Sequence, residues 1–121
     1  MSDSTTTIAE LKELVKKFCE DRDWDQYHNP KELAIGIITE ASELLAHFRF
    51  KSDKEMEVML KDAKKRDEIC AEMADTLYFI LRLSQKYNID LSTAFEKKMG
   101  KNRSRYPVGK ARGSNKKYTE L

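Results

Sequence analysis

Residues 33–48 read LAIGIITEASELLAHF and residues 69–84 read ICAEMADTLYFILRLS. Apolar side chains recur in both at helical spacing: Leu33, Ala34, Ile37, Ile38, Ala41, Leu44, Leu45 and Phe48 in the first, Ile69, Cys70, Met73, Ala74, Leu77, Ile80, Leu81 and Ser84 in the second. These positions predict two core helices. Each also carries a pair of carboxylates three residues apart, Glu40 with Glu43 and Glu72 with Asp75. Residues three apart on a helix share a face, so each pair presents its oxygens in one direction.

Acidic pairs at this spacing also occur at Glu10/Glu13 and Glu20/Asp23, but Lys16 and Lys17 stand one turn away from Glu13 and Glu20. Those read as solvated faces with helix ion pairs. No Lys or Arg stands between Leu33 and Phe48 or between Ile69 and Leu81. The charge of Glu40, Glu43, Glu72 and Asp75 must therefore be balanced from elsewhere, unless all four simply face solvent. A partly buried carboxylate without a partner is costly or takes up a proton, and a hard divalent cation removes both difficulties. Acids on two facing helices are a recurring site of this kind in helix bundles.

The rest of the chain frames that site. At 121 residues, with 36% charged side chains, four Gly and two Pro, the composition fits one all-α domain spanning residues 1–121. No apolar run is long enough to span a bilayer and the start is polar, so a cytoplasmic, non-membrane protein is expected. Cys19 and Cys70 fall in apolar helical phase and read as two reduced core thiols. Residues 1–7 are expected to be disordered, with a first helix from Ile8 to about Arg22. Asn29-Pro30 is a helix start, placing the second helix at 30–48 with Gly36, Glu40, Glu43 and His47 along its flank. Residues 51–65 read as either a short amphipathic helix or a mobile flap. A third helix covers about 64–87, with Glu72, Asp75 and Phe79 on one face, and a fourth runs from Asp90 or Ser92 to about Asn102.

The formal net charge is only +2, yet nine Lys and Arg and no acid lie between Lys97 and Lys117. An acidic body with a basic segment admits two functions. Anionic phosphates of a small substrate could meet both a carboxylate-held cation and the basic side chains. Alternatively, a helical module could bind nucleic acid through the basic residues 103–121. Di-iron carboxylate bundles need Glu-x-x-His on two helices, and neither His28 nor His47 lies three residues after a Glu; the dense acidic loop of an EF-hand is missing too. Magnesium-dependent phosphate chemistry remains, with Trp24, Tyr27, Phe50 and Phe79 available to stack a base.

Glu40-x-x-Glu43, a 28-residue gap and Glu72-x-x-Asp75 resemble the signature of the MazG-like, all-α nucleoside triphosphate pyrophosphohydrolases. The runs 22–28, 48–53 and Lys98-Met99 through Asn102-Arg103, Tyr106-Pro107 and Arg112 to Thr119 are similar to the dCTP pyrophosphatase branch of that family. The resemblance covers about residues 8–121. It implies a protomer of four to five helices that packs as a homo-oligomer, dimer or tetramer. It also implies Mg²⁺-dependent hydrolysis, with Mn²⁺ as substitute, of dCTP or related and modified (d)NTPs to the monophosphate and pyrophosphate. On the same ground Glu40, Glu43, Glu72 and Asp75 are the expected metal and catalytic ligands, Trp24, His28, Phe50 and Phe79 the base pocket, and Lys98, Asn102 and Tyr106 the contacts to the rest of the nucleotide. Phe50 and Phe79 depart from the branch pattern, in which Trp and Tyr stand at those positions.

Overall fold

The five longer helices each begin on a side chain that accepts a hydrogen bond from the backbone of the first turn: Thr7, Asn29, Ser52, Asp62 and Asp90. They are α1 (Ile8–Asp21), α2 (Pro30–Phe48), α3 (Asp53–Lys61), α4 (Ala63–Lys86) and α5 (Leu91–Arg105), followed by a single turn, α6 (Val108–Ala111). Short 3₁₀ turns occupy Asp25–Tyr27 and Tyr118–Glu120, and no strand is present. These elements come from a computed structural model that describes residues 1–121. Pro30 opens α2 behind its Asn29 cap, as the sequence predicts. The ambiguous residues 51–65 resolve into α3, which is fixed by a capping box between Ser52 and Glu55, and the start of α4. Residues 2–6, expected to be disordered, close a turn in which Thr5 and Thr6 donate their backbone N–H to the Ser2 carbonyl.

The chain forms two compact units, Met1–Asn88 and Ile89–Leu121. In the first unit α4 packs against α1, α2 and α3. Val15, Cys19, Leu33, Ile69 and Leu81 form its buried apolar centre. The Cys19 thiol meets the Tyr78 hydroxyl at 3.1 Å. Burial, and then that contact, pushes the Tyr78 hydroxyl pKa up. In the second unit the basic segment is folded: the Tyr106 hydroxyl accepts the backbone N–H of Tyr118 at 3.2 Å, and Arg105 lies over the Tyr118 ring.

The apolar stripes lie only partly where periodicity placed them: Leu33, Ile69, Leu81 and Ser84 are buried, but other members are not. Ile38 and Leu45 of α2 are 69% and 64% exposed, and Met73 of α4 is 57% exposed. Cys70 is exposed as well, so only Cys19 is a core thiol. The helices meet instead along the flank that carries the acids. Near one end Gly36 faces Phe79, so closely that a Cβ on Gly36 would lie 2.4 Å from the ring. Near the other, His47 Nε2 lies 3.6 Å from Glu72 Oε1. The opposite order of these contacts along the two chains makes α2 and α4 antiparallel. A residue without a side chain is needed where the Phe79 ring crosses, and this close approach sets the rotation of α2. That rotation turns Glu40 inward and Ile38 outward.

Candidate functional site

Three of the four acids come together across the seam. Carboxylate oxygens of Glu40, Glu43 and Glu72 all lie within 4.8 Å of one another. Asp75 stands outside this triplet, but its charge is felt at Glu40, from which it lies one helix over. Oε2 of Glu40 is fully shielded from solvent and has no hydrogen-bond partner. Burial first, then a hydrogen bond and repulsion from Glu43, and then repulsion from Asp75 and Glu72 push the Glu40 carboxyl up to about 7. His47 Nε2 lies 3.6 Å from Glu72 Oε1, at the edge of the group. The sequence had placed His47 only near this face. Adjoining the cluster is a cavity of about 440 Å³ lined by Glu43, Ala46, His47, Lys51, Met59 and Lys65.

A buried oxygen without a hydrogen-bond partner, among carboxylates that form no ion pair with Lys or Arg, fits a cation of oxygen preference. Glu40, Glu43 and Glu72 could hold such an ion, with Asp75 next to them. A hard ion of this type leaves positions for water and phosphate oxygens.

At the other end of the same seam lies a group that the sequence did not reveal. Arg82 is 1% exposed, the largest fully buried side chain. Its Nε donates to His28 Nδ1 at 2.9 Å, its Nη1 to Gln85 Oε1 at 2.6 Å, and its Nη2 to Asp25 Oδ1. Lys86 Nζ donates to the carbonyls of Asp25, at 2.6 Å, and His28. The connector between α1 and α2 is thus fastened onto α4. The Arg82 guanidinium holds the Asp25 carboxyl below the usual carboxylate range. Burial, then the Arg82 and Lys86 charges, lower the His28 pKa. A signal was present in the sequence: Glu72, Asp75, Phe79, Arg82 and Lys86 recur at spacings of three and four and share one stripe of α4.

Of the four side chains expected at the base, Trp24 and His28 meet, and neither Phe50 nor Phe79 makes a ring contact with them. Trp24 rests edge-on against Phe18 and, at 6.2 Å between ring centres, against His28. Phe79 packs over Gly36 and edge-on against Tyr78, within the seam. Phe50 is 88% exposed beyond the far end of α2, in a left-handed conformation with φ 65°, its ring covered on one side by Arg49. The 19 residues of α2 separate it from His28 by about 28 Å along the helix. Lys98, Asn102 and Tyr106 follow one another at four-residue intervals on and just after α5, in the second unit. The Tyr106 hydroxyl is engaged with Tyr118.

Comparison with known proteins shows the family to which the chain belongs. Residues 35–121 match the MazG-like family, a span that contains all four acids. The chain belongs to the MazG-like family. Within it, dCTP pyrophosphatase 1 of Rattus norvegicus is 36% identical over 115 residues, 95% of this chain and 68% of that protein. The Homo sapiens protein of the same name is 35% identical over the same shares of the two chains. The fold is similar to the crystal structure of a pyrophosphatase from Archaeoglobus fulgidus, with a TM-score of 0.78 at 32% identity, covering 88% of this chain and 98% of that one. The family match begins at Ile35 and so leaves out Trp24 and His28.

Proposed function

We propose that the protein is a nucleotide pyrophosphohydrolase that cleaves dCTP or a related or modified nucleoside triphosphate to the monophosphate and pyrophosphate. The observation that carries this reading is the carboxylate cluster of the α2–α4 seam with its unpartnered Glu40 oxygen. The kinship with dCTP pyrophosphatase 1 supports the choice of substrate class.

Glu40, Glu43, Glu72 and Asp75 would hold Mg²⁺, with Mn²⁺ as a substitute. When bound, the ion supplies positive charge to the phosphate oxygens and makes water more acidic. The acids fix the position of the attacking water, and one of the glutamates takes its proton as the oxygen bonds to phosphorus and the bond to pyrophosphate breaks. Lys51 and Lys65, in the adjoining cavity, offer further positive charge to a polyphosphate. Trp24 and His28 bind the base end. Asp75 and Arg82 lie two turns apart on one face of α4, about 10 Å at 1.5 Å per residue, a span that suits a nucleotide with its phosphates at the acids and its base at His28.

The protein works as a homo-oligomer. The exposed apolar face of Ile35, Ile38 and Leu45 on α2 supports this, as does the separation of Phe50 from His28, since a Phe50 that touches the base must come from another copy. No helix is long and apolar enough to cross a membrane.

The test is a panel of nucleoside triphosphates assayed for pyrophosphate with and without Mg²⁺. Release of pyrophosphate from dCTP or its analogues, lost on chelation, is expected. Oligonucleotide binding without Mg²⁺ and without turnover of any free nucleotide would overturn the reading in favour of a nucleic-acid-binding module.

A further inference from the structure

Arg82 is an unusual side chain for the interior of a helical protein of this size. A buried guanidinium persists only where its donors are matched, and here all three nitrogens have a partner. One of those partners is informative. The Arg82 guanidinium carries only donors, so His28 Nδ1 must accept, and an imidazole that accepts at Nδ1 bears its proton at Nε2. Lys86, bound to the carbonyls on either side of this turn, holds the backbone that carries His28. Trp24 closes on the ring edge-on at 6.2 Å.

We infer that Arg82 is a positioning residue for the nucleotide: it locks His28 as an Nε2–H donor that serves an acceptor atom on the base. This rests on the functional reading above, because it takes His28 to be at the base end of the site. Arg82 touches no reacting atom and acts only through His28. The charged groups facing the imidazole are Arg82, Lys86 and Asp25; burial first, and then the two cations against the one acid, disfavour its charged form. A neutral, single-tautomer imidazole reads lone pairs and rejects a base edge that offers only N–H groups. An imidazole free to exchange tautomers would read neither. Fixing the tautomer through the opposite nitrogen is the same device by which metal-binding histidines are oriented by their outer hydrogen bonds.

The experiment combines ¹⁵N NMR of the His28 ring in the full chain with kinetics of Arg82→Gln and Arg82→Lys. In the wild type at neutral pH the ring is expected as the Nε2–H tautomer. Arg82→Gln is expected to give a mixture of tautomers and to raise KM for dCTP by about tenfold or more with kcat little changed. Pyrophosphate release from deoxyribose 5′-triphosphate, which has no base, is expected to stay the same. Arg82→Lys keeps the charge but loses the planar fork, and a smaller rise in KM is expected. A wild-type ring found as imidazolium or as the Nδ1–H tautomer overturns the inference whether or not the variants fold. So does an unchanged KM for dCTP in both variants. Wild-type protein that releases no pyrophosphate from any nucleotide overturns the functional reading and this role with it, whereas an active wild type with unaffected variants overturns this role alone.

Discussion

The two ends of the α2–α4 seam treat charge in opposite ways. At one end Arg82 is buried deeper than any other charged side chain and every one of its nitrogens is matched within the chain. At the other, Glu40, Glu43 and Glu72 crowd together, and Glu40 keeps one oxygen with no partner. The α4 members of the two arrangements, Glu72 and Arg82, stand on one stripe of that helix. A buried charge that is matched internally holds structure in place, here the turn that carries Trp24 and His28. A cluster that is not matched internally is a site prepared for something brought from outside.

The acid end is expected to give the largest effect when altered. Glu43→Gln or Asp75→Asn should lower Mg²⁺-dependent pyrophosphate release by at least about 100-fold, the order found when one group that stabilises developing charge is removed. Helical circular dichroism should be unchanged, because the substitution relieves repulsion. Full turnover in both variants would break the contrast between the two ends.

At the matched end, loss should appear as stability. Arg82→Met leaves Asp25, Gln85 and His28 without their partner, and a destabilisation of about 2 kcal/mol is expected in urea, smaller than for a fully buried pair because Asp25 reaches solvent. Between the ends, Gly36→Ala would ordinarily stabilise a helix interior, but its Cβ cannot share space with the Phe79 ring. A net loss of about 1–2 kcal/mol is expected, partly recovered when Phe79 is also changed to Leu. Unfolding of the double variant against each single one measures this.

The smallest effect sharpens the comparison most, because the two ends should respond to pH in opposite senses. Glu40, raised to about 7, holds its proton in the folded state over a range where the unfolded chain has lost it. Stability of the metal-free protein should therefore fall as pH rises from the ordinary carboxylate range through about 7, and Mg²⁺ should remove that slope. Asp25, lowered by Arg82, works the other way: its contribution is complete above the ordinary carboxylate range and is lost as pH falls through its lowered value. Thermal melts between pH 4 and 8 with and without Mg²⁺ should move by a few degrees in these two directions.

Much of this could be read from the residues. Asn29-Pro30 marks the start of α2 because a capping amide before proline has few other uses. The acids stood out because no Lys or Arg accompanied them. The rotation of the helices could not be read, since Ile38 and Leu45 look like core in any periodic pattern and only the Phe79 ring on Gly36 decides which flank turns inward. Cys70 was misplaced by the same error of phase. Arg82 is not legible because a lone arginine in an apolar run reads as an exposed residue, and its partners Asp25 and His28 are more than fifty positions away. The basic segment looked like a tail, and the pairing of Tyr106 with Tyr118 that folds it depends on side chains 12 residues apart.

The side-chain caps on the five longer helices have a kinetic consequence. Each first turn closes on its own residues, so helix formation need not wait for a distant contact and the early steps of folding are local. The carboxylates meet only when α2 docks against α4, and their repulsion therefore opposes a late step. A cation seated between them acts after that step, lengthening the lifetime of the closed seam rather than hastening the search for it.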